Sequence, residues 1–269
     1  MSPITQEINL TQISDLTTTL RIQIIKTITA AGSGHPGSSL SCIDIMIALF
    51  FGLSCGTDRE QNRFILSKGH AEAALYSIYH RLGWISEEEL YTMRRLGSRL
   101  QGHPDPVWLD YVEFAGGSLG QGLSFTQGLA AGLGKSVNVY TLLGDGELQE
   151  GQLWEAALSI PRMNLTNIKA IVDWNRLQLS GPTPEYPDIS HFLKIFENLG
   201  WACSSCDGHD VLKLYQLLSE PTTKPHIIFA KTIKGKGISF MENNNDFHGR
   251  GLSSCESQDA LKELMAGNI

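Results

Sequence analysis

Apolar residues recur at three- and four-residue intervals along the first 135 positions, and in short unbroken runs after that. Leu16, Leu20, Ile24 and Ile28 fall on one face of a helix over 8–31, which ends at the glycine-rich turn Gly32-Ser33-Gly34. The same spacing predicts helices over 39–51 and 70–82. A short helix follows from Ser86, whose hydroxyl caps an acidic first turn, to Arg95. After a loop over 96–118, a Gly- and Ala-rich helix runs from 119 or 120 to 133. From 137 the period changes. β-Branched runs at 137–143, 168–174, 201–207 and 226–232 alternate with helical stretches at 152–163, 189–199 and 211–219. That alternation predicts βαβ units and an α/β fold, a mostly parallel sheet with helices on both faces. Nothing divides the chain, so residues 1–269 read as one domain with a C-terminal tail from about 235 that winds back over it.

Composition narrows the class. A length of 269 residues suffices for one large α/β domain, and 42% hydrophobic residues exclude intrinsic disorder. The formal charge of −7, mixed in sign along the chain, disfavours a generic nucleic-acid binder. The first twenty residues lack a basic segment followed by an apolar core, and no run approaches a membrane span, so no membrane is expected and the expected setting is cytoplasmic. Cys203 and Cys206 form a CxxC without a second pair to complete a zinc site. A half-buried strand is the ordinary reading, and a redox or metal role the alternative. Glycine is in excess at 27 residues of 269, against a usual ~7%.

The glycines gather where parallel strands end, which is where open sheets bind ligands. The run at 137–143 stops at Gly144-Asp145-Gly146, and the run at 168–174 stops at Asn175. The 28 residues between Gly146 and Asn175 accommodate one crossover helix and a return strand, so Asp145 and Asn175 can sit on adjacent strand tips. A carboxylate with an amide or carbonyl oxygen suits Mg²⁺ or Ca²⁺, and Mg²⁺ usually completes its shell with phosphate and water. Glycines beside Asp145 let phosphate reach backbone N–H groups near a helix start. An Asp-Gly turn with an Asn cap, carrying no ligand, would have the same spacing. No GxxxxGK[ST] is present, and Gly117-Ser118-Leu119-Gly120-Gln121-Gly122 has the wrong register for GxGxxG.

Three of the eight histidines follow glycines in loops or at helix starts: Ser33-Gly34-His35-Pro36-Gly37, Ser67-Lys68-Gly69-His70-Ala71 and Gly102-His103-Pro104. There a histidine can meet an anion or exchange protons near neutral pH. His80, His191 and His226 lie in apolar or helix-flanking contexts and read as structural, and His209 belongs to a turn opening a helix.

Taken in order, these motifs together with Gly144-Asp145-Gly146-Glu147-Leu148-Gln149-Glu150-Gly151, Asp173-Trp174-Asn175 and Lys231-Thr232-Ile233-Lys234-Gly235-Lys236-Gly237 resemble the N-terminal, diphosphate-binding half of transketolase, over roughly residues 10 to 255. The resemblance implies a thiamine diphosphate-binding fold in which Asp145, Asn175 and the backbone carbonyl of Leu177 ligate Mg²⁺. His70 and the backbone of Gly146 would hold the diphosphate, Gly117 and Leu119 would meet the aminopyrimidine, and Leu179 would pack near the thiazolium. His35 and His103 would face the substrate, and Glu150 would join a carboxylate network crossing to the partner subunit. A second diphosphate contact is implied after the Lys234-Gly235-Lys236-Gly237 loop, where the alignment puts Asn245, with His248 three residues on.

The implied reaction transfers a two-carbon ketol unit from a ketose, such as a sugar phosphate, to an aldose, as in pentose phosphate metabolism. The protein positions the reactants and moves protons while the cofactor supplies the electronic step. Nothing in the sequence resembles the pyrimidine-binding domain that the family also needs. The resemblance therefore implies the N-terminal subunit of a two-chain transketolase, inactive alone and working as an α2β2 heterotetramer with a separate pyrimidine-binding and C-terminal subunit. A deoxyxylulose-phosphate synthase, a dehydrogenase α-subunit or a non-catalytic orphan subunit are the alternatives.

Overall fold

The computed structural model describes residues 10–267. Five parallel strands make the central sheet: β1 (Asn62–Leu66), β2 (Asn138–Gly144), β3 (Ile168–Trp174), β6 (Ala202–Asp207) and β7 (His226–Lys231), in the order β1-β2-β3-β7-β6. A two-stranded antiparallel hairpin, β4 (Leu177–Gln178) with β5 (Gly181–Pro182), follows β3 directly.

The strands carry apolar residues on both faces, and each face has its own core. Phe64, Leu66, Tyr140, Leu142, Ile171 and Ile228 pack with helices α1 (Leu10–Ala31), α2 (Pro36–Ile47), α3 (Glu72–Arg81), α8 (Val211–Ser219) and α9 (Ser254–Met265). Ile65, Val139, Leu143, Ala170, Val172 and Phe229 pack with α5 (Gln121–Leu133), α6 (Gly151–Arg162) and α7 (Ile189–Leu199). Strand neighbours such as Phe64 and Ile65 therefore enter opposite cores, as the period-2 backbone requires. The expected α/β class, with helices on both faces of a parallel sheet, is what the structure has.

Most helices lie within a few residues of their expected positions. α2 begins at Pro36, three residues early, because proline's fixed φ suits the first helical turn. It closes with a wide π turn at Ala48–Gly52. Ser86 does cap a helix, accepting from the Glu89 N–H at 3.1 Å, but that helix, α4, covers only Glu87–Leu90, and turns follow. The expected start of the first helix at Ile8 lies outside the described residues.

Three elements escaped the sequence pattern. β1 shows only Phe64-Ile65-Leu66 as an apolar run, too short to stand out. The β4–β5 hairpin has two residues per strand. α9 lies in the stretch that reads as a tail, although Ser253 and Glu256 form a full capping box at its start.

Strand alternation also decides the CxxC. Cys203 packs beside the α6–α7 core and Cys206 beside the α1–α2 core, so the thiols point to opposite faces of β6. All five cysteines are free. Among the described residues no helix is long and apolar enough to cross a membrane.

One buried base sets a pH limit on the fold. His226 is 3% exposed, accepts or donates one bond to Ser204 Oγ at 2.9 Å, and leaves Nδ1 without a partner. Burial, then the nearby Lys169, pushes its pKa down to about 4. The folded state thus disfavours the proton that the unfolded chain accepts near 6.5. The stabilisation is complete above pH 6.5 and is lost as pH falls toward 4, by at most about 1.4 kcal/mol per pH unit for one such group. The thermal midpoint is expected to fall between pH 6.5 and 4.5, and calorimetry should show a smaller fall for His226→Asn.

Candidate active site

The carboxyl ends of β1, β2 and β3 open into a cavity of about 450 Å³. Parallel register puts Leu66 beside Leu142 and Gly144 beside Asp173, so the loops leaving all three strands arrive at one level. After β1 comes Ser67-Lys68-Gly69-His70, after β2 comes Asp145-Gly146-Glu147, and after β3 comes Asn175-Arg176-Leu177. The cavity is lined from these loops and from Ser38, His103, Gly117, Leu119, Gln149, Glu150, Leu179, Lys234 and His248.

Close backbone approach explains two of the glycines. A Cβ on Gly69 would come within 2.9 Å of the Gly116 and Gly117 backbone. Gly117 itself has φ +138°, with the His103 ring against its α-carbon. The loop carrying Gly117 and Leu119 is further tied down by Glu147, a buried carboxylate. It accepts from Gly120 N–H at 2.8 Å, Gly144 N–H at 3.1 Å and the Ser67 hydroxyl.

Asp145 and Asn175 meet as their spacing predicts. Asp145 is 6% exposed, and its carboxylate accepts from the Gly146 N–H at 2.8 Å and from the Arg176 N–H. Burial and the nearby Asp173 carboxylate push its pKa up to about 6, outweighing those two donors and Lys68. Asn175 Oδ1 accepts from the Leu177 N–H at 3.0 Å, and its amide nitrogen donates to Ser41 Oγ and Asp173.

Cationic groups stand beside these oxygens. Lys68 and Asp173 form an ion pair with almost no exposure, and Asp173 also accepts from Ser41 and Thr232. Burial opposes the Lys68 charge, but Asp173 more than restores it, and the pKa is raised. Lys234 donates to the Leu177 carbonyl at 3.0 Å and to His248 Nδ1 at 2.7 Å. Burial, then Lys68, lowers its pKa to about 8. His70 and His248 stack with ring centroids 5.5 Å apart. Burial holds both below the ordinary histidine range, with Lys68 the next cause for His70 and Lys234 for His248, which falls to about 4. Because Lys234 donates to Nδ1, the neutral His248 ring carries its proton on Nε2.

A diphosphate and a hard cation fit this donor set. Lys68, Lys234 and the imidazole rings offer charge and N–H groups to an anion. Asp145, the Asn175 amide oxygen and the Leu177 carbonyl are hard oxygens, and an ammonium group already sits on the last of them. Among the described residues no group of three or more His, Cys, Asp or Glu could hold a metal. A cation here would therefore draw on phosphate and water oxygens as well.

The remaining candidates fall on the rim or behind it. His103 is exposed at the mouth, its pKa lowered chiefly by partial burial. Glu150 and Leu179 are also exposed, Leu179 at 73%. His35 does not line the cavity, but its ring stands edge-on to His70 and His248, at centroid distances of 5.6 and 6.0 Å. Asn245 does not line it either. Its amide donates to the Leu179 carbonyl at 3.0 Å and so holds the rim loop, while His248 occupies the wall. Sequence reasoning missed Lys68, Lys234 and Ser38, and left open whether Asn245 or His248 makes the second diphosphate contact. Lys68 has a signal, standing directly before Gly69-His70, and so does Asp173, the one acidic residue in a mostly apolar run.

Residues 13–266 match the family model described as transketolase, thiamine diphosphate binding domain. Human transketolase is 39% identical over 262 residues, which is 94% of this chain and 42% of the human protein. The chain thus spans less than half the length of that relative. One named subunit of the apulose-4-phosphate transketolase of Phocaeicola vulgatus is 34% identical over 256 residues, 91% of this chain and 90% of that protein. In structure, a transketolase from Campylobacter jejuni superposes with a TM-score of 0.87 at 31% identity, covering 97% of this chain and 44% of its own.

Proposed function

The chain belongs to the transketolase thiamine diphosphate-binding domain family, and from that premise we propose that it is the diphosphate- and metal-binding subunit of a two-chain transketolase. One observation carries this reading: the oxygens at the tips of β2 and β3 and a group of lysines and histidines line a single cavity, with Lys234 on the Leu177 carbonyl. Asp145, Asn175 and the Leu177 carbonyl would hold Mg²⁺, and His70, His248, Lys234 and the Gly146 backbone would hold the diphosphate. Gly117 and Leu119 would face the aminopyrimidine, with Leu179 beside the thiazolium. When bound, thiamine diphosphate supplies a stabilised carbanion equivalent for cleaving the bond next to a ketone.

The chain's own residues bind, orient and move protons. His35, edge-on to His70 and His248, and His103, at the mouth, would handle the ketose hydroxyl protons. Glu150, exposed on the rim, would meet a carboxylate of the partner subunit. That partner would bring the pyrimidine-binding and C-terminal domains in an α2β2 assembly. The Phocaeicola relative, itself one subunit and covered over 90% of its length, supports a separate partner chain. A cytoplasmic setting fits five free cysteines.

Donor choice tests the function. Mixed with its partner, thiamine diphosphate, Mg²⁺ and an aldose acceptor, the chain is expected to pass the two-carbon unit of a ketose phosphate to the acceptor, releasing an aldose phosphate, and to leave pyruvate unconsumed. Turnover of pyruvate in place of the ketose would move the chain to a deoxyxylulose-phosphate synthase-like or dehydrogenase-like activity.

A further inference from the structure

Glu72 begins α3 two residues after His70, and its side chain is completely buried. It does not line the cavity, and no role above falls to it. Its carboxylate is nevertheless bound to the group that would face the substrate. Arg94 donates to Glu72 Oε1 from Nε at 3.1 Å and from Nη2 at 2.8 Å. His35 Nδ1 lies 3.2 Å from both Oε1 and Oε2. Among the described residues Oε2 has no other partner than His35 Nδ1.

Arg94 is held firmly in this arrangement. Its backbone has φ +61°, rarely adopted by a residue with a side chain. Its Nη1 donates to Ser33 Oγ at 3.1 Å, and its guanidinium lies against Gly102, where a Cβ would come within 2.9 Å of Cζ. The clamp thus joins the loop before His35 to the loop before His103.

A fully buried carboxylate oxygen requires a donor, and only an Nδ1–H can supply one to Oε2. Arg94 Nη2 also lies 3.0 Å from His35 Nδ1, and the N–H that it does not give to Oε1 could point there. Placing the His35 proton on Nε2 would leave a buried charged oxygen bare, which costs more than the Arg94–Nδ1 contact returns. We propose that Glu72, backed by Arg94, holds His35 as the Nδ1–H tautomer, leaving Nε2 as a proton-accepting edge. That edge lies against Gly249, where an added Cβ would come within 3.4 Å of Nε2.

Glu72 is therefore a positioning residue. A substrate hydroxyl reaching Nε2 meets a lone pair. Its O–H bond breaks, an N–H bond forms on Nε2, and the electron pair stays on the substrate oxygen. The imidazolium that results keeps its Nδ1–H on Glu72, which stays ionised. This catalytic consequence rests on the ketol-transfer reading, whereas the tautomer does not.

Glu72→Gln tests both. The two Arg94 donors would hold the amide oxygen of the glutamine, turning its NH₂ toward His35. Nδ1 then becomes the acceptor, and the proton moves to Nε2. Long-range ¹H–¹⁵N spectra of the ¹⁵N-histidine-labelled chain near pH 8.5, assigned with a His35→Gln variant, should show Nδ1–H in the unsubstituted protein and Nε2–H in Glu72→Gln. In the assembled enzyme the same substitution should lower kcat with the ketose donor at least about 100-fold, with cofactor affinity unchanged. An Nε2–H signal in the unsubstituted protein would overturn the proposal, even if the variant does not fold. Tautomer inversion with full ketol transfer would remove the positioning role. If the unsubstituted assembly transfers no ketol unit, the functional reading fails while the spectra still decide the tautomer.

Discussion

Asp145→Asn is expected to weaken Mg²⁺-dependent thiamine diphosphate binding to the chain and its partner by at least about 100-fold, as measured by calorimetric titration. The reason lies in the donor set. Asn175 and the Leu177 carbonyl are neutral, so Asp145 would be the metal's one charged protein ligand. Asparagine keeps the shape, but the Gly146 and Arg176 N–H groups approach different oxygens of Asp145, so its single amide oxygen can keep one of the two bonds. The fold should survive the change. Asp145 is buried near Asp173, and its pKa of about 6 shows that its charge is disfavoured in the metal-free protein. Removing that charge offsets the lost bond, so the metal-free thermal midpoint should change little. Undiminished cofactor affinity in the variant would remove Asp145 from the metal site.

Much of this arrangement was legible in the chain because parallel α/β architecture separates packing from chemistry. The runs that became β2, β3 and β7 are mostly apolar, since both faces of each strand are buried, and they stop abruptly where the ligand cavity begins. That abruptness is what puts Gly144-Asp145-Gly146 and Asn175 on neighbouring tips from the sequence alone. β1 was invisible for a related reason. At the sheet edge its first two residues, Asn62 and Arg63, are half-exposed and polar, leaving three apolar positions.

The second diphosphate contact shows a different limit. Asn245 and His248 differ by three positions in a turn-rich segment without periodicity, so no local pattern says which side chain faces inward. The structure does: Asn245 is spent on the Leu179 carbonyl, and His248 stacks on His70 with Lys234 behind it. Glu72 marks the same boundary. A glutamate in the first turn of a helix reads as a favourable charge at the helix start. Nothing in its spacing reveals that Arg94, 22 residues on, and His35, 37 residues back, converge on it.

The rim residues carry the central claim. Leu179 and Glu150 face outward around a cavity that the chain lines on the diphosphate side. A partner covering that rim would complete the pocket, exclude water from the reacting atoms and bring the groups that contact the other end of the cofactor. The decisive measurement is ketol transfer from a ketose phosphate, with thiamine diphosphate and Mg²⁺ present. It is made first on the purified chain and then with increasing amounts of a transketolase pyrimidine-binding subunit. We expect no turnover from the chain alone and activity that rises to a plateau at one partner per chain. Full ketol transfer by the chain alone would contradict the account.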